Sequence, residues 1–141
     1  MIFSRFFVGG NMNRSEMREQ AFILLFEKEF FKDKPFEEIE EIFSENVSPL
    51  SDYAKELFET TYAHISELDE IIEQYSNGWK LNRIPKVNLS ILRLALAEII
   101  YIDSVPENVA INEAVEIAKK YSGDEDYSFI NGILGSYSRS K

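Results

Sequence analysis

Arg14 and Arg18 stand four residues apart in N-R-S-E-M-R-E-Q, a spacing that puts both side chains on one side of a helix near its start. Two guanidinium groups so placed can grip phosphate or simply line a solvated face, and spacing alone leaves both readings open. Arg93 is a different case, because it interrupts the apolar run I-L-R-L-A-L-A-E-I-I. A charge there must find a partner or reach the surface, and a rigidly held guanidinium could serve RNA phosphate or base edges. Glu98, five residues on, is not an ideal helical partner for it and is expected to be structural. Catalysis has few residues to work with. There is one histidine, His64, and no cysteine, so neither a zinc site nor a serine or cysteine triad of the usual kind can be assembled. Carboxylates are plentiful, but none stands in an apolar loop that would raise its pKa. The phosphate-cradling G-x-x-x-x-G-K-[ST] and G-x-G-x-x-G loops are missing as well. The expectation is a protein that binds without catalysing, with no metal and no cofactor.

Helices must position these groups. From Asn13 to about Phe31, Phe22, Phe26 and Phe30 recur at four residues, with Asn13 or Ser15 as the cap. Asp33-Lys34-Pro35 ends this helix, and Ile39, Ile42 and Phe43 among glutamates predict a short amphipathic one. Ala54, Leu57, Phe58, Thr61, Ile65, Leu68, Ile72 and Tyr75 keep unbroken three-and-four spacing, which predicts one long helix with a continuous seam. Asn77-Gly78 stops it, and Trp79, Leu81 and Ile84 form an apolar connection to the central element. That element carries Leu89, Ile91, Leu92, Leu94, Leu96 and Ile99 and is apolar nearly all round, so it belongs at the centre, with Asn88 as its candidate cap. Pro106 starts the next helix, in which Asn112-Glu113 reads as a capping feature. The last helix turns Tyr127, Ile130, Ile133, Leu134 and Tyr137 inward and leaves Phe129 partly off that face. It also holds Gly132 and Gly135, each costing about 1 kcal/mol against alanine in a helix interior. Their spacing suggests close approach by a backbone or a ligand.

No stretch alternates with period two for long, so the class is all-α: six or seven helices in a single domain from residue 12 to 141. Residues 1–11, M-I-F-S-R-F-F-V-G-G-N, read as an N-terminal extension, disordered or foreign to the natural chain. They lack the apolar stretch and cleavage site of a signal peptide. The central apolar run is too short and too charged to span a membrane, and the lack of cysteine fits a reducing cytoplasm.

The net charge of −10 is unevenly placed. Residues 35–76 hold one Lys against twelve Asp and Glu, whereas residues 1–34 and 77–141 are near neutral. Autonomous nucleic-acid binders are usually basic, since phosphate neutralisation supplies most of their affinity. RNA binding by this chain would therefore rest on a local basic cluster and a partner.

Four segments resemble the NusB transcription antitermination factors: P-E-N-V-A-I-N-E-A-V-E-I-A-K-K-Y at 106–121, F-I-N-G-I-L at 129–134, I-L-R-L-A-L-A-E-I-I at 91–100 and R-S-E-M-R-E-Q-A-F-I-L-L-F at 14–26. Order and spacing agree from Asn13 to about Tyr137. The resemblance implies two packed three-helix bundles. It also implies binding to boxA-type single-stranded RNA jointly with NusE, a small-subunit ribosomal protein, and through it to the elongating RNA polymerase. Position by position it assigns RNA contact to Arg14, Arg18, Arg93, Phe129 and Asn131. Stacking on aromatic rings and hydrogen bonds to base edges are how single-stranded RNA is read, which suits Phe129 and Asn131. Ser15 and Glu16 stand where many relatives are densely basic, and Ser128 stands where a basic residue can precede the phenylalanine. Two other readings stay open, a helical protein-interaction module without RNA contact and an accessory domain related to the N-terminal region of RNA cytosine methyltransferases. A homodimer is left open too.

Overall fold

In the computed structural model, which describes residues 12–123 and 126–141, Asn13 opens the first helix with a reciprocal cap. Its Oδ1 accepts from the Glu16 amide at 2.8 Å, and its own amide donates to Glu16 Oε1 at 3.0 Å. Two of the amides that a helix start leaves unsatisfied are thereby paired. Helix α1 then runs Arg14–Phe30, followed by α2 (Phe36–Asn46), α3 (Asp52–Ala63), α4 (Ile65–Tyr75), a 3-10 turn (Leu81–Arg83), α5 (Lys86–Tyr101), α6 (Glu107–Tyr121) and α7 (Asp126–Arg139). The class is all-α, as the periodicity predicts. The extension expected at residues 1–11 lies outside the described residues. Among the described residues no helix is long and apolar enough to cross a membrane.

The helices gather into two compact units, one ending at Glu59 and the other running Thr60–Lys141, so the division falls inside α3. In the first unit α1 packs on α2, and Phe22, Ile23, Leu24, Ile39, Phe43, Leu57 and Phe58 are buried. Polar groups close the ends of these helices. The Gln20 amide donates to Ser48 Oγ at 3.0 Å and to the Pro49 carbonyl at 2.9 Å, while its Oε1 accepts from the Ser51 amide at 3.1 Å. Lys28 Nζ donates to the carbonyls of Lys32 and Lys34, both at 2.8 Å, fixing the turn that Pro35 terminates.

In the second unit α5 is central, as its composition demands, and packs against α4, α6 and α7. Every residue from Asn88 to Glu98 is buried.

Three sequence expectations are corrected. The seam predicted as one long helix breaks at His64 (φ −113°, ψ 22°) into α3 and α4. The His64 ring Nδ1–H donates to the Thr60 carbonyl at 2.9 Å, while the His64 backbone amide turns to the Thr61 carbonyl at 3.2 Å. A side chain has taken the acceptor that the next helical turn uses. Asn88 does not cap α5, which begins after Pro85; it lies one turn inside, where Oδ1 accepts from Ser122 Oγ at 2.7 Å. Asn112 and Glu113 likewise sit within α6, whose first-turn acid is Glu107.

Candidate nucleic-acid interface

The α1 start in the first unit places its two arginines differently. Arg14 is exposed and its guanidinium lies over the Tyr53 ring, 3.8 Å from the centroid, a cation–π contact that holds the charge at the surface. Arg18, one turn deeper, is only 5% exposed. The spacing puts both on one side, but only Arg14 presents its charge to solvent. The same unit carries an apolar groove of about 380 Å3 lined by Leu24, Phe31, Ile39, Ile42 and Phe43. Glu27 stands on its edge with its carboxyl pKa raised by burial. Its chemistry suits apolar side chains rather than phosphate.

In the second unit Arg93 is 6% exposed and engages Asp69 of α4 at two points, Nε to Oδ1 at 2.7 Å and Nη2 to Oδ2 at 2.9 Å. Asn131 is exposed on α7, and Phe129 is half-buried. Two residues apart on a helix, they point in different directions. Phe129 instead meets Trp79, ring centroids 5.9 Å apart and planes at 66°. The two rings border a notch of about 260 Å3 that also takes in Ser128, Gly132, Ser136 and Arg139; Asn131 does not line it. Among the described residues no backbone approaches the α7 glycines as their spacing suggested. A Cβ on Gly132 would meet nothing within 4 Å, and one on Gly135 would meet the Arg139 guanidinium at 3.1 Å.

Sequence reasoning missed Trp79, taking it for part of an apolar connection. Its side chain is 51% exposed. Asn77 (φ 53°) and Gly78 (φ 85°) turn the chain through left-handed conformations after α4. Ser76 then clamps Trp79 from both sides. The Ser76 hydroxyl donates to the Trp79 carbonyl at 2.7 Å, and the Trp79 amide donates to the Ser76 carbonyl at 3.2 Å. The signal was present in the sequence as the sole tryptophan, set immediately after a strong helix stop.

The sequence matches the NusB family over residues 15–139. The chain belongs to the NusB family. A transcription antitermination protein NusB of Agathobacter rectalis is 43% identical over 130 residues, covering 89% of this chain and 99% of that relative. The fold is similar to that of T. maritima NusB, which superposes with a TM-score of 0.78 at 36% identity, covering 92% of this chain and 93% of that one. A crystal structure of the antitermination factors NusB and NusE in complex with dsRNA is similar at TM-score 0.77 and 31% identity, covering 91% and 97%.

Proposed function

We propose that this protein is a transcription antitermination factor that holds a boxA-type RNA segment jointly with NusE. The pair tethers that RNA to the elongating RNA polymerase in the cytoplasm and supports ribosomal RNA transcription. The observation that carries this reading is the likeness, across nine-tenths of the chain, to the NusB structure bound to NusE and dsRNA. The protein acts by binding and not by catalysis.

The electrostatics fit a shared task. A chain of net charge −10 gains little from phosphate by itself, so NusE supplies the larger part of the positive field. Arg14 contacts phosphate, Phe129 stacks on a base and Asn131 hydrogen-bonds a base edge. Arg18 and Arg93, both at least nine-tenths buried, position the surfaces that carry those groups.

A fluorescence titration of labelled boxA-like RNA with this protein, with NusE, and with both, at two salt concentrations, tests the proposal. The expected result is tight, salt-sensitive binding by the pair only. If combining two folded proteins brings no gain, the reading gives way to that of a protein-interaction module.

A further inference from the structure

The Trp79–Phe129 notch has features that RNA contact by Phe129 and Asn131 leaves unused. It is built from the end of α4, the turn that follows it and one face of α7. Residues 77–97 contain Lys80, Arg83, Lys86 and Arg93 and no carboxylate, and residues 127–141 contain Arg139 and Lys141 and again no carboxylate. Arg93 and Lys141 are engaged by Asp69 and Glu107, which leaves Arg139 as the charged residue lining the notch beside the exposed indole. Glu73, in the last turn of α4, accepts from the Leu81 amide at 3.2 Å. The cavity, at about 260 Å3, falls below the ~300–1,000 Å3 of sites for drug-sized ligands and suits a single flat ring. One wall is aromatic, the rim carries the Ser128 and Ser136 hydroxyls and the Arg139 guanidinium, and the floor at Gly132 is open.

We propose that this notch is a base-stacking subsite that takes one unpaired nucleobase of the bound RNA, with Trp79 as the stacking surface and Arg139 as the cation for the adjoining phosphate. The inference rests on the RNA-binding reading above. Three physical facts support it. The Ser76 clamp fixes the Trp79 backbone and the Phe129 ring packs against the indole, so less conformational entropy is lost when a base stacks. Phe129 packs against it at an angle and buttresses it while half its surface stays in solvent. A glycine at position 132 keeps the helix from filling the space a base would occupy. Aromatic stacking serves any base, so the subsite contributes affinity and placement rather than sequence readout.

The chain's only tryptophan makes the test direct. Single-stranded boxA-like RNA is titrated into the preformed complex with NusE while tryptophan emission and the anisotropy of labelled RNA are both read. Saturable quenching with the same midpoint as the anisotropy is expected, absent in W79F, and absent with a fully paired duplex. W79A should weaken RNA binding about 5-fold or more, W79F much less. Gly132→Gln, which fills the notch without touching the ring, should match W79A. Thermal unfolding of each variant is checked against the wild type. Unchanged emission together with wild-type affinity in W79A and Gly132→Gln sinks the subsite and leaves the RNA-binding reading intact. Quenching complete on adding NusE alone also overturns it, assigning Trp79 to the protein contact. Absence of RNA binding by the wild-type complex removes both.

Discussion

Arg93 and Asp69 are joined at two points, and their side chains are only 7% and 20% exposed. The planar guanidinium matches the carboxylate in a fork that ties α5 to α4 inside the second unit. Removing one partner takes both bonds of the fork from a charge that is largely withdrawn from water. Asp69→Ala and Arg93→Ala should each lower unfolding free energy by roughly 2–4 kcal/mol, towards the range for breaking buried pairs. Arg93→Lys should recover only part of this, because an ammonium cannot make both bonds. Urea denaturation gives the answer. A variant of Arg93 that keeps its stability while losing RNA affinity would return this residue to direct contact with RNA.

Glu40 of α2 is 8% exposed, and its Oε2 has no hydrogen-bond partner among the described residues. Its carboxyl is pushed up to about 7 from the usual 4.5, first by burial and then by the hydrogen bond and charge of Glu59, with Lys55 opposing. Between those two values the folded chain keeps a proton that the unfolded chain releases. Stability contributed by this group is therefore present in full below 4.5, is lost as pH rises to about 7, and stays lost above that. Glu40→Gln, which is neutral at every pH, should flatten that slope and stabilise the protein by roughly 1–3 kcal/mol at pH 8. Chemical denaturation at pH 5, 6, 7 and 8 measures both effects; an unaltered slope in the variant would place the titration elsewhere.

Much of this architecture is legible in the sequence because its signals are local. Pro35, Pro106 and Asn77-Gly78 end or start helices through their own backbone limits, and the all-round apolar composition of Leu89 to Leu96 requires a central helix. What escaped depends on groups distant in sequence or on competition for a single acceptor. The break at His64 costs the apolar seam nothing, since the phase of the spacing survives one non-helical residue. The break follows from a ring nitrogen reaching the Thr60 carbonyl, with the ring stacked on Tyr101, centroids 3.9 Å apart. Asn88 is a good cap by type, yet Pro85 already fixes the helix start, and the amide is used by Ser122, 34 residues away. Arginine spacing could place Arg14 and Arg18 on one side, but burial changes within a single turn. Asp69, the partner of Arg93, lies 24 residues upstream among acids that all look like solvated surface.

Gly132 gives a separable test of helix stability. It lies within α7, its backbone is not left-handed, and a Cβ there meets nothing within 4 Å. Alanine should therefore raise stability by about 0.5–1 kcal/mol through helix propensity and a less disordered unfolded chain. A methyl group takes up little of the notch, so RNA affinity of the complex with NusE should change less than 2- to 3-fold. A rise in melting temperature with retained affinity is the expected pair of results. Destabilisation by alanine would mean that something approaches this face of α7 more closely than 4 Å in solution.

The Asn13 cap connects the start of α1 to the charge it displays. Asn13→Ala removes the Oδ1 that accepts from the Glu16 amide while keeping the backbone amide that donates to Glu16 Oε1, and should reduce stability by about 0.5–2 kcal/mol. Fraying of that first turn would also release Arg14 from its seat over Tyr53. The variant should then weaken RNA binding by the NusE complex modestly, with the salt dependence retained because the charge itself remains. Arg14→Gln is the contrasting change: it removes a charge without touching the cap and should leave the melting temperature nearly unaltered. Its salt dependence should become shallower by about one phosphate contact. If Asn13→Ala weakened binding and flattened the salt slope as strongly as Arg14→Gln, the cap would be acting on the charge contact itself, and the separation of placement from charge at this helix start would be wrong.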